Sequence, residues 1–206
     1  MNVDHQITAA RRVVGTRVLE AGEARTVTIS RTYDTTLDNL WEACTDPERI
    51  RRWFVPVTID GDHYQIERNA SGTIQQCDPP KGFAATWEFG GDLTWIELRL
   101  TPVPDGTRFE LEHIAHVDNE RWAEYGPGAV GVGWDLTILG LSLHLSGESL
   151  ADPMAWAASA EGHAYMRRSS AAWTEASIAS GTEPGAARAA GNRTTAFYTG
   201  SGEAGG

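Results

Sequence analysis

Cysteine and lysine are scarce in this chain of 206 residues, which contains two cysteines and a single lysine. Cys44 and Cys77 lie far apart and lack the short spacing of a metal-binding pair. Lys81 follows two prolines in a predicted turn, which is no setting for the buried, reactive amine of a Schiff-base enzyme. The sequence therefore predicts two reduced thiols, no bound metal and no lysine-based covalent chemistry.

Positive charge is also scarce, because 17 basic residues face 28 acidic ones and leave a net charge of −11. An acidic surface repels phosphate backbones, which argues against nucleic-acid binding. The first residues, MNVDHQITAARRVV, are charged and polar where a signal peptide has an apolar core, so we expect a cytoplasmic protein. The one long apolar run, 129–145, contains Asp135 and His144, which favours a buried helix over a membrane span.

Alternation of apolar and polar residues predicts strands joined by short turns. Ile96 and Leu98 share one face of their strand, and Phe109, Leu111 and His113 share one face of the next. The short links indicate an antiparallel meander. The predicted strands are 16–20, 24–33, 57–66, 71–77, 82–89, 93–102 and 106–117, and short helices are predicted over 4–14, 37–45 and 47–54.

A long helix is predicted over 129–146, and it is apolar on nearly all sides. A helix that is apolar on two faces must be covered on both. A sheet can cover only one of them, so we expect further predicted helices, over 153–161, 162–180 and about 184–198, to cover the other. The fold class is therefore α+β, with a curved antiparallel sheet against a long C-terminal helix.

Three segments, RTYDTTLDNLWEACTDPERIRRWF at 31–54, LTWIELRLTPVPDGTRFELEH at 93–113 and GVGWDLTILGLSLHL at 131–145, resemble a known family. It is the START-like (SRPBCC) superfamily, in its bacterial branch similar to the C-terminal domain of activators of the heat-shock protein 90 ATPase. The resemblance implies the helix-grip fold, also called START-like or birch-pollen-allergen-like, and a cavity for a hydrophobic ligand between sheet and long helix.

The resemblance covers about residues 24–147, which we expect to form the helix-grip domain. Residues 1–23 are then an N-terminal extension, 148–199 a helical extension packed on the domain, and 200–206 a flexible tail. One departure concerns VPVTIDGDHYQIERN after the Trp-Phe pair, which is shorter than the Gly-rich hairpin of related sequences. That hairpin borders the cavity entrance in the family, so the shape of the entrance does not carry over.

Gly126, Gly128 and Gly131 match the spacing of a dinucleotide-binding loop, but no strand precedes them and no βαβ unit surrounds them. We expect these glycines to form a turn and to let the long helix approach the sheet. No cofactor is therefore predicted.

A cluster of ionisable residues, Glu110, Glu112, His113 and His116, lies on one strand. Because side chains alternate along a strand, the two histidines point to opposite faces and cannot bind one metal ion. The glutamates face solvent, opposite Phe109 and Leu111. His113 faces the concave side, where it is either a satisfied core residue or a polar anchor for a ligand.

The predicted function is binding of a hydrophobic or aromatic small molecule, with no catalytic residue assigned. His113 and Asp135 would orient the ligand, although Asp135 could instead pair with Arg99 or Arg108. Two alternatives are an enzyme of the cyclase or hydratase type with His113 as acid or base, and an interaction protein, either a chaperone partner or a homodimer. The predicted ligand-binding residues are Trp53, Phe54, Trp87, Ile96, Leu98, Phe109, Leu111, His113, Trp134, Asp135 and Ile138.

Overall fold

The computed structural model describes residues 2–201 of the chain, so most of the predicted flexible tail, 202–206, lies outside the described residues. Its strands are β1 (Arg11–Leu19), β2 (Gly22–Tyr33), β3 (Val57–Asp60), β4 (His63–Ile66), β5 (Ser71–Asp78), β6 (Gly82–Phe89), β7 (Asp92–Val103) and β8 (Gly106–Ala115). They form one antiparallel sheet in the order β1-β2-β8-β7-β6-β5-β4-β3. The meander predicted from the short links is confirmed, with β8 returning to pair with β2.

The helices are α1 (Val3–Thr8), α2 (Leu37–Thr45), α3 (Pro47–Ile50), α4 (Asn119–Tyr125), α5 (Gly128–Leu145), α6 (Pro153–Ala157), α7 (Ala160–Ala179) and α8 (Pro184–Thr199). The side chain of Thr36 caps α2 by accepting a hydrogen bond from the backbone N–H of Asn39. Asp46 caps α3 in the same way, and Pro47 takes the first helical position. Both starts agree with the sequence prediction.

The N-terminal segment differs from its predicted structure. The helix expected over 4–14 ends at Thr8, and β1 begins at Arg11. Every residue of β1 has an antiparallel partner in β2, so ladder hydrogen bonds and the β-branched Val13 and Val14 favour the strand over the helix. Residues 11–19, expected to precede the domain, thus form an edge strand of its sheet.

The segment 57–66, predicted as one strand, is a hairpin. It turns at Gly61, whose φ of 63° lies in the left-handed region that favours glycine. Val57 of β3 pairs with Ile66 of β4, so the hairpin forms the end of the sheet opposite β1. This is the segment that the family resemblance identified as shortened.

One face of the sheet is buried, and His113 lies on that face. This residue pairs with Val27 of β2 on one side and with Ile96 of β7 on the other. Phe109, Leu111 and His113 alternate with half-buried residues along β8 and are themselves at most 6% exposed. The predicted phase of this strand is therefore confirmed.

The long helix α5 lies between the sheet and the C-terminal helices. Trp134, Ile138 and Leu141 belong to the main core with the sheet, whereas Leu139 and Leu143 pack with Tyr165 of α7. Both apolar faces of α5 are thus covered, as predicted. By length and composition α5 is the one helix in residues 2–201 that could cross a membrane, and 56% of it is buried inside the protein.

Two of the glycines in 126–131 permit close contacts between helices. A Cβ atom on Gly131 would lie 2.4 Å from the Trp173 ring of α7, and one on Gly128 would lie 2.9 Å from Thr194 of α8. Gly126 ends α4 with a φ of 60°. The expectation that these glycines bring α5 to the sheet was therefore wrong about the partner, which is the helical tail.

Hydrogen bonds to Asp135 of α5 connect the N-terminal strand and the helical tail to the core. Its carboxylate accepts hydrogen bonds from Arg12 of β1, from the Ser169 hydroxyl at 2.6 Å and from the Trp173 indole N–H at 2.8 Å. The Tyr165 hydroxyl donates to the Asp135 carbonyl oxygen at 2.8 Å. A buried carboxylate needs such partners, and Asp135 is completely buried.

Candidate ligand groove beside the long helix

A groove of about 690 Å³ runs along one flank of α5. Its walls are residues 51–55 after α3, residues 148–157 including α6, and Tyr198 of α8, and its inner end reaches β6 and β8. We call it the α5 groove. The α5 side chains that line it recur at helical spacing: Ala129, Val130, Gly133, Trp134, Leu136, Thr137, Leu139, Gly140 and Leu143.

Gly140 allows the wall formed by residues 51–55 to lie close to α5. A Cβ atom at this position would lie 2.3 Å from the carbonyl oxygen of Trp53, so only glycine admits that chain. The Trp53 indole N–H in turn donates to the Ala43 carbonyl of α2 at 3.1 Å, which fixes the ring. The wall of the groove is thus held by α2 and α5 together.

Aromatic rings dominate the lining of the groove. Trp87 and Trp134 meet edge to face with ring centroids 5.1 Å apart at the inner end, where His113 lies 5.7 Å from the Trp134 ring. Such geometry is favourable between aromatic rings and also offers faces and edges to an aromatic ligand. The other aromatic residues of the lining are Trp53, Phe54, Trp156 and Tyr198.

His113 takes part in a directional chain of hydrogen bonds. The Trp134 indole N–H, which can only donate, donates to His113 Nδ1 at 3.1 Å. The imidazole proton is therefore on Nε2, which lies 2.9 Å from Thr94 Oγ1. The Thr94 hydroxyl then donates to the Trp87 carbonyl at 3.0 Å. Both ring nitrogens of His113 are occupied.

The electrostatics of His113 follow from its burial, which lowers its pKa from 6.5 to about 4. The side chain is therefore neutral at physiological pH. Because it is neutral and both its nitrogens have partners, His113 is a satisfied polar residue at the inner end of the groove. An acid–base role would require it to break one of these bonds first.

The rim of the groove carries the charged and polar lining residues Arg51, Arg52, Asn69, Glu148 and Ser149. Arg51 pairs with Glu48 at 2.5 Å on the surface. The positive charges of Arg49 and Arg52, together with burial, lower the pKa of His144 in the last turn of α5. The buried Nε2 of His144 has no hydrogen-bond partner among the described residues.

Five of the eleven predicted ligand residues line the α5 groove: Trp53, Phe54, Trp87, His113 and Trp134. Five others, Ile96, Leu98, Phe109, Leu111 and Ile138, are buried in the main core. The groove thus lies mainly on the flank of α5 and reaches the space between sheet and helix at its inner end, at Trp87, His113 and Trp134.

Asp135, the last of the eleven, lies away from the groove. Neither Arg99 nor Arg108 is its partner; both pair with carboxylates of the sheet. Its carboxylate is instead held by Arg12, Ser169 and Trp173. Asp135 is not among the groove residues, so its predicted role in orienting a ligand stays a prediction that these contacts do not support.

The tail residues of the groove were missed by sequence reasoning. Leu150, Met154, Trp156 and Tyr198 all line it, whereas the sequence indicated only that the tail covers α5. Met154 is 81% exposed and lines the groove on its solvent side. No local pattern signals a gap between a helix and its cover.

Other clusters of ionisable residues offer no competing site. The predicted solvent-side carboxylates Glu110 and Glu112 are paired with Arg99 on the outer face of the sheet. Within residues 2–201, no group of three or more His, Cys, Asp or Glu side chains is placed to hold a metal ion. Burial raises the pKa of the Cys44 thiol to about 12, which makes it unreactive.

Comparison with solved structures supports a relationship over most of the chain. CalU16 from Micromonospora echinospora is 32% identical in its crystal structure, which covers 82% of this chain and 98% of CalU16 with a TM-score of 0.65. Its solution structure gives 33% identity, 84% and 97% coverage, and a TM-score of 0.70. The similarity therefore extends beyond the helix-grip domain.

More distant structures share the fold alone. MLL2253 from Mesorhizobium loti is 23% identical over 61% of this chain and all of its own, with a TM-score of 0.53. DynU16, a protein of the dynemicin biosynthetic locus, is 19% identical over 60% of this chain and 48% of its own, with a TM-score of 0.52. No curated protein matches the sequence.

The family itself follows from a direct match to the sequence. Residues 34–145 match the model of the family described as activator of Hsp90 ATPase homolog 1-like protein. The match spans α2 to α5 and includes the strings on which the resemblance was based. With its helix-grip architecture, the chain thus belongs to the activator of Hsp90 ATPase homolog 1-like family, within the START-like superfamily of ligand-binding folds.

Proposed function

We propose that this protein binds a hydrophobic, aromatic small molecule in the α5 groove. The observation that carries the proposal is the lining itself, about 690 Å³ bordered by six aromatic side chains in addition to His113. Ligand pockets of proteins have this size and are mostly apolar with a few polar groups. Family membership supports a ligand-binding fold in general and leaves the ligand to be inferred from the groove.

The two hydrogen bonds of His113 and its lowered pKa favour binding over catalysis. Among the described lining residues, no second ionisable group joins His113 at the inner end of the groove, and His113 is neutral with both nitrogens engaged. General acid–base chemistry needs a group that can exchange a proton near neutral pH. His113 thus serves as a fixed polar feature of the groove.

The proposal can be tested with a substitution that fills part of the groove and leaves the core intact. A Cβ atom on Gly133 would meet only the Tyr198 hydroxyl, at 3.4 Å, so a larger side chain there extends into the groove. The probe is N-phenylnaphthylamine, a neutral aromatic dye whose fluorescence rises in apolar surroundings. We expect the wild-type protein to bind the dye and Gly133→Leu to abolish binding.

The matched control is Ala171→Leu, which places the same leucine side chain at an exposed position of α7 outside the groove. It should bind the dye as the wild type does. Circular dichroism and thermal unfolding would establish that both variants fold. If folded Gly133→Leu retained wild-type affinity, or if the wild type bound no dye, the proposed function would be wrong.

A further inference from the structure

Arg52 differs from the other arginines around it because it has no ion-pair partner. Arg49 pairs with Glu42 at 3.3 Å and Arg51 with Glu48 at 2.5 Å. Among residues 2–201, no carboxylate lies within 4.0 Å of the Arg52 guanidinium, although the chain has an excess of acidic residues. Arg52 is nevertheless part of the groove lining.

Arg52 lies beside the C-terminal turns of α5. The carbonyl oxygen of Trp53, the next residue, would lie 2.3 Å from a Cβ atom on Gly140. Burial together with the charges of Arg49 and Arg52 lowers the pKa of His144. Both observations place Arg52 beside the last turns of α5. Leu143 and Gly140 of the same turns line the groove, and Trp53 follows Arg52 directly. The charge therefore stands at the end of the groove that is remote from His113.

Among the described residues of the rim, Arg52 is the guanidinium without an ion-pair partner, because Arg51 is paired with Glu48. The ionisable lining residues of the rim are Arg51, Arg52 and one carboxylate, Glu148. Glu148 is exposed and does not pair with Arg52. An incoming anion would thus meet a guanidinium whose five N–H donors need not first leave a protein partner.

We propose that the ligand is an aromatic organic anion, whose ring system occupies the α5 groove and whose acidic group, a carboxylate or sulfonate, is bound by Arg52. This inference rests on the proposed function and adds the charge of the ligand to it. A guanidinium binds an oxyanion through two parallel N–H···O bonds, a geometry that also fixes the orientation of the attached ring system.

The experiment compares two dyes that differ by a single acidic group. Anilinonaphthalene sulfonate has the ring skeleton of N-phenylnaphthylamine with one sulfonate added. We expect the wild-type protein to bind the sulfonate about tenfold more tightly than the neutral dye, because a hydrogen-bonded charged pair contributes on this order. In Arg52→Gln the preference should be lost, so that the two dyes bind with equal affinity.

Two further variants separate a specific contact from general electrostatic attraction. Arg52→Lys keeps the charge and loses the planar pair of donors, so it should retain part of the preference. Arg11→Gln removes one exposed positive charge on β1, outside the groove, and should leave both affinities unchanged. The preference should also weaken with added salt, since Arg52 is exposed.

The possible results are distinct. Equal affinity for both dyes, or an Arg52→Gln protein that keeps its preference for the sulfonate, would overturn the role of Arg52 while the proposed function stood. If Arg11→Gln lost the preference for the sulfonate as fully as Arg52→Gln, the preference would come from the net charge of the protein. That result would also overturn the inference. If neither dye bound to the wild-type protein, the proposed function itself would be refuted.

Discussion

Arg12 and Asp135 form a bidentate ion pair in the interior of the protein. The Arg12 Nε atom lies 3.0 Å from Asp135 Oδ2 and its Nη2 atom 2.6 Å from Oδ1, and the two side chains are 5% and 1% exposed. The third guanidinium nitrogen donates to the carbonyls of Ile7 and Ala10. One pair thus joins α1, β1 and α5, and Ser169 and Trp173 extend the network to α7.

Removing one partner of this pair should destabilise the fold strongly, because it leaves the other charge buried and uncompensated. We expect Arg12→Leu to lower the free energy of unfolding by about 3–5 kcal/mol in urea denaturation. The control is Arg17→Gln, which breaks pairs with Glu97 and Glu112 that are partly exposed and should cost at most about 1 kcal/mol. Equal effects of the two variants would contradict a structural role for the buried pair.

Two glycines of α5 should respond in opposite ways to alanine. In Gly131→Ala the new methyl group would overlap the Trp173 ring, so we expect a loss of about 1–3 kcal/mol of stability. In Gly133→Ala it meets only the Tyr198 hydroxyl at 3.4 Å, so the higher helix propensity of alanine should add up to about 1 kcal/mol.

The cause of the first effect can be isolated with a second substitution. Trp173→Phe removes part of the ring that the Gly131 methyl group would strike. The double variant should therefore lose less stability than the sum of the two single variants, as measured by chemical denaturation. Strict additivity would show that the two positions do not contact each other.

His113 should make stability fall at acidic pH. Its pKa in the folded protein is lowered to about 4 from 6.5, so between these values the unfolded state binds the proton and the folded state does not. The destabilisation is absent well above pH 6.5, grows as pH falls, and is complete below about pH 4. It should reach about 3 kcal/mol in total.

The measurement compares unfolding free energies across pH in the wild type and in His113→Gln. Glutamine can accept from Trp134 and donate to Thr94 but does not titrate, so its profile should be flatter between pH 4 and 6.5. Other ionisable groups affect both proteins alike and cancel in the difference. Parallel profiles would show that His113 titrates normally in the folded state.

Much of the architecture could be read from local patterns. Alternation placed Phe109, Leu111 and His113 on the buried face of β8, because a strand with one buried face repeats every two residues. The helix starts predicted at residues 37 and 47 are correct, and the side chains of Thr36 and Asp46 cap them by accepting from free backbone N–H groups. The apolar character of α5 on two sides correctly required a second cover.

The candidate site was predicted only in part. Trp53, Trp87 and Trp134 line the groove as expected, but Ile96 and Leu98 face the same side of the sheet and are core. Periodicity specifies which face of an element a residue occupies and says nothing of how completely neighbours fill the space beyond it. The distinction between core and pocket wall therefore required the packed structure.

Local patterns predicted most of the elements, their apolar faces and the family, because each depends on residues close together in the chain. The contact of Asp135 with Arg12, 123 positions away, and the open groove beside α5 arise only when the elements pack together. Asp135 looked like a ligand group on an apolar helix, and a buried carboxylate does need a partner. Which of the 16 arginines supplies it depends on where β1 joins the sheet, and no local pattern contains that information.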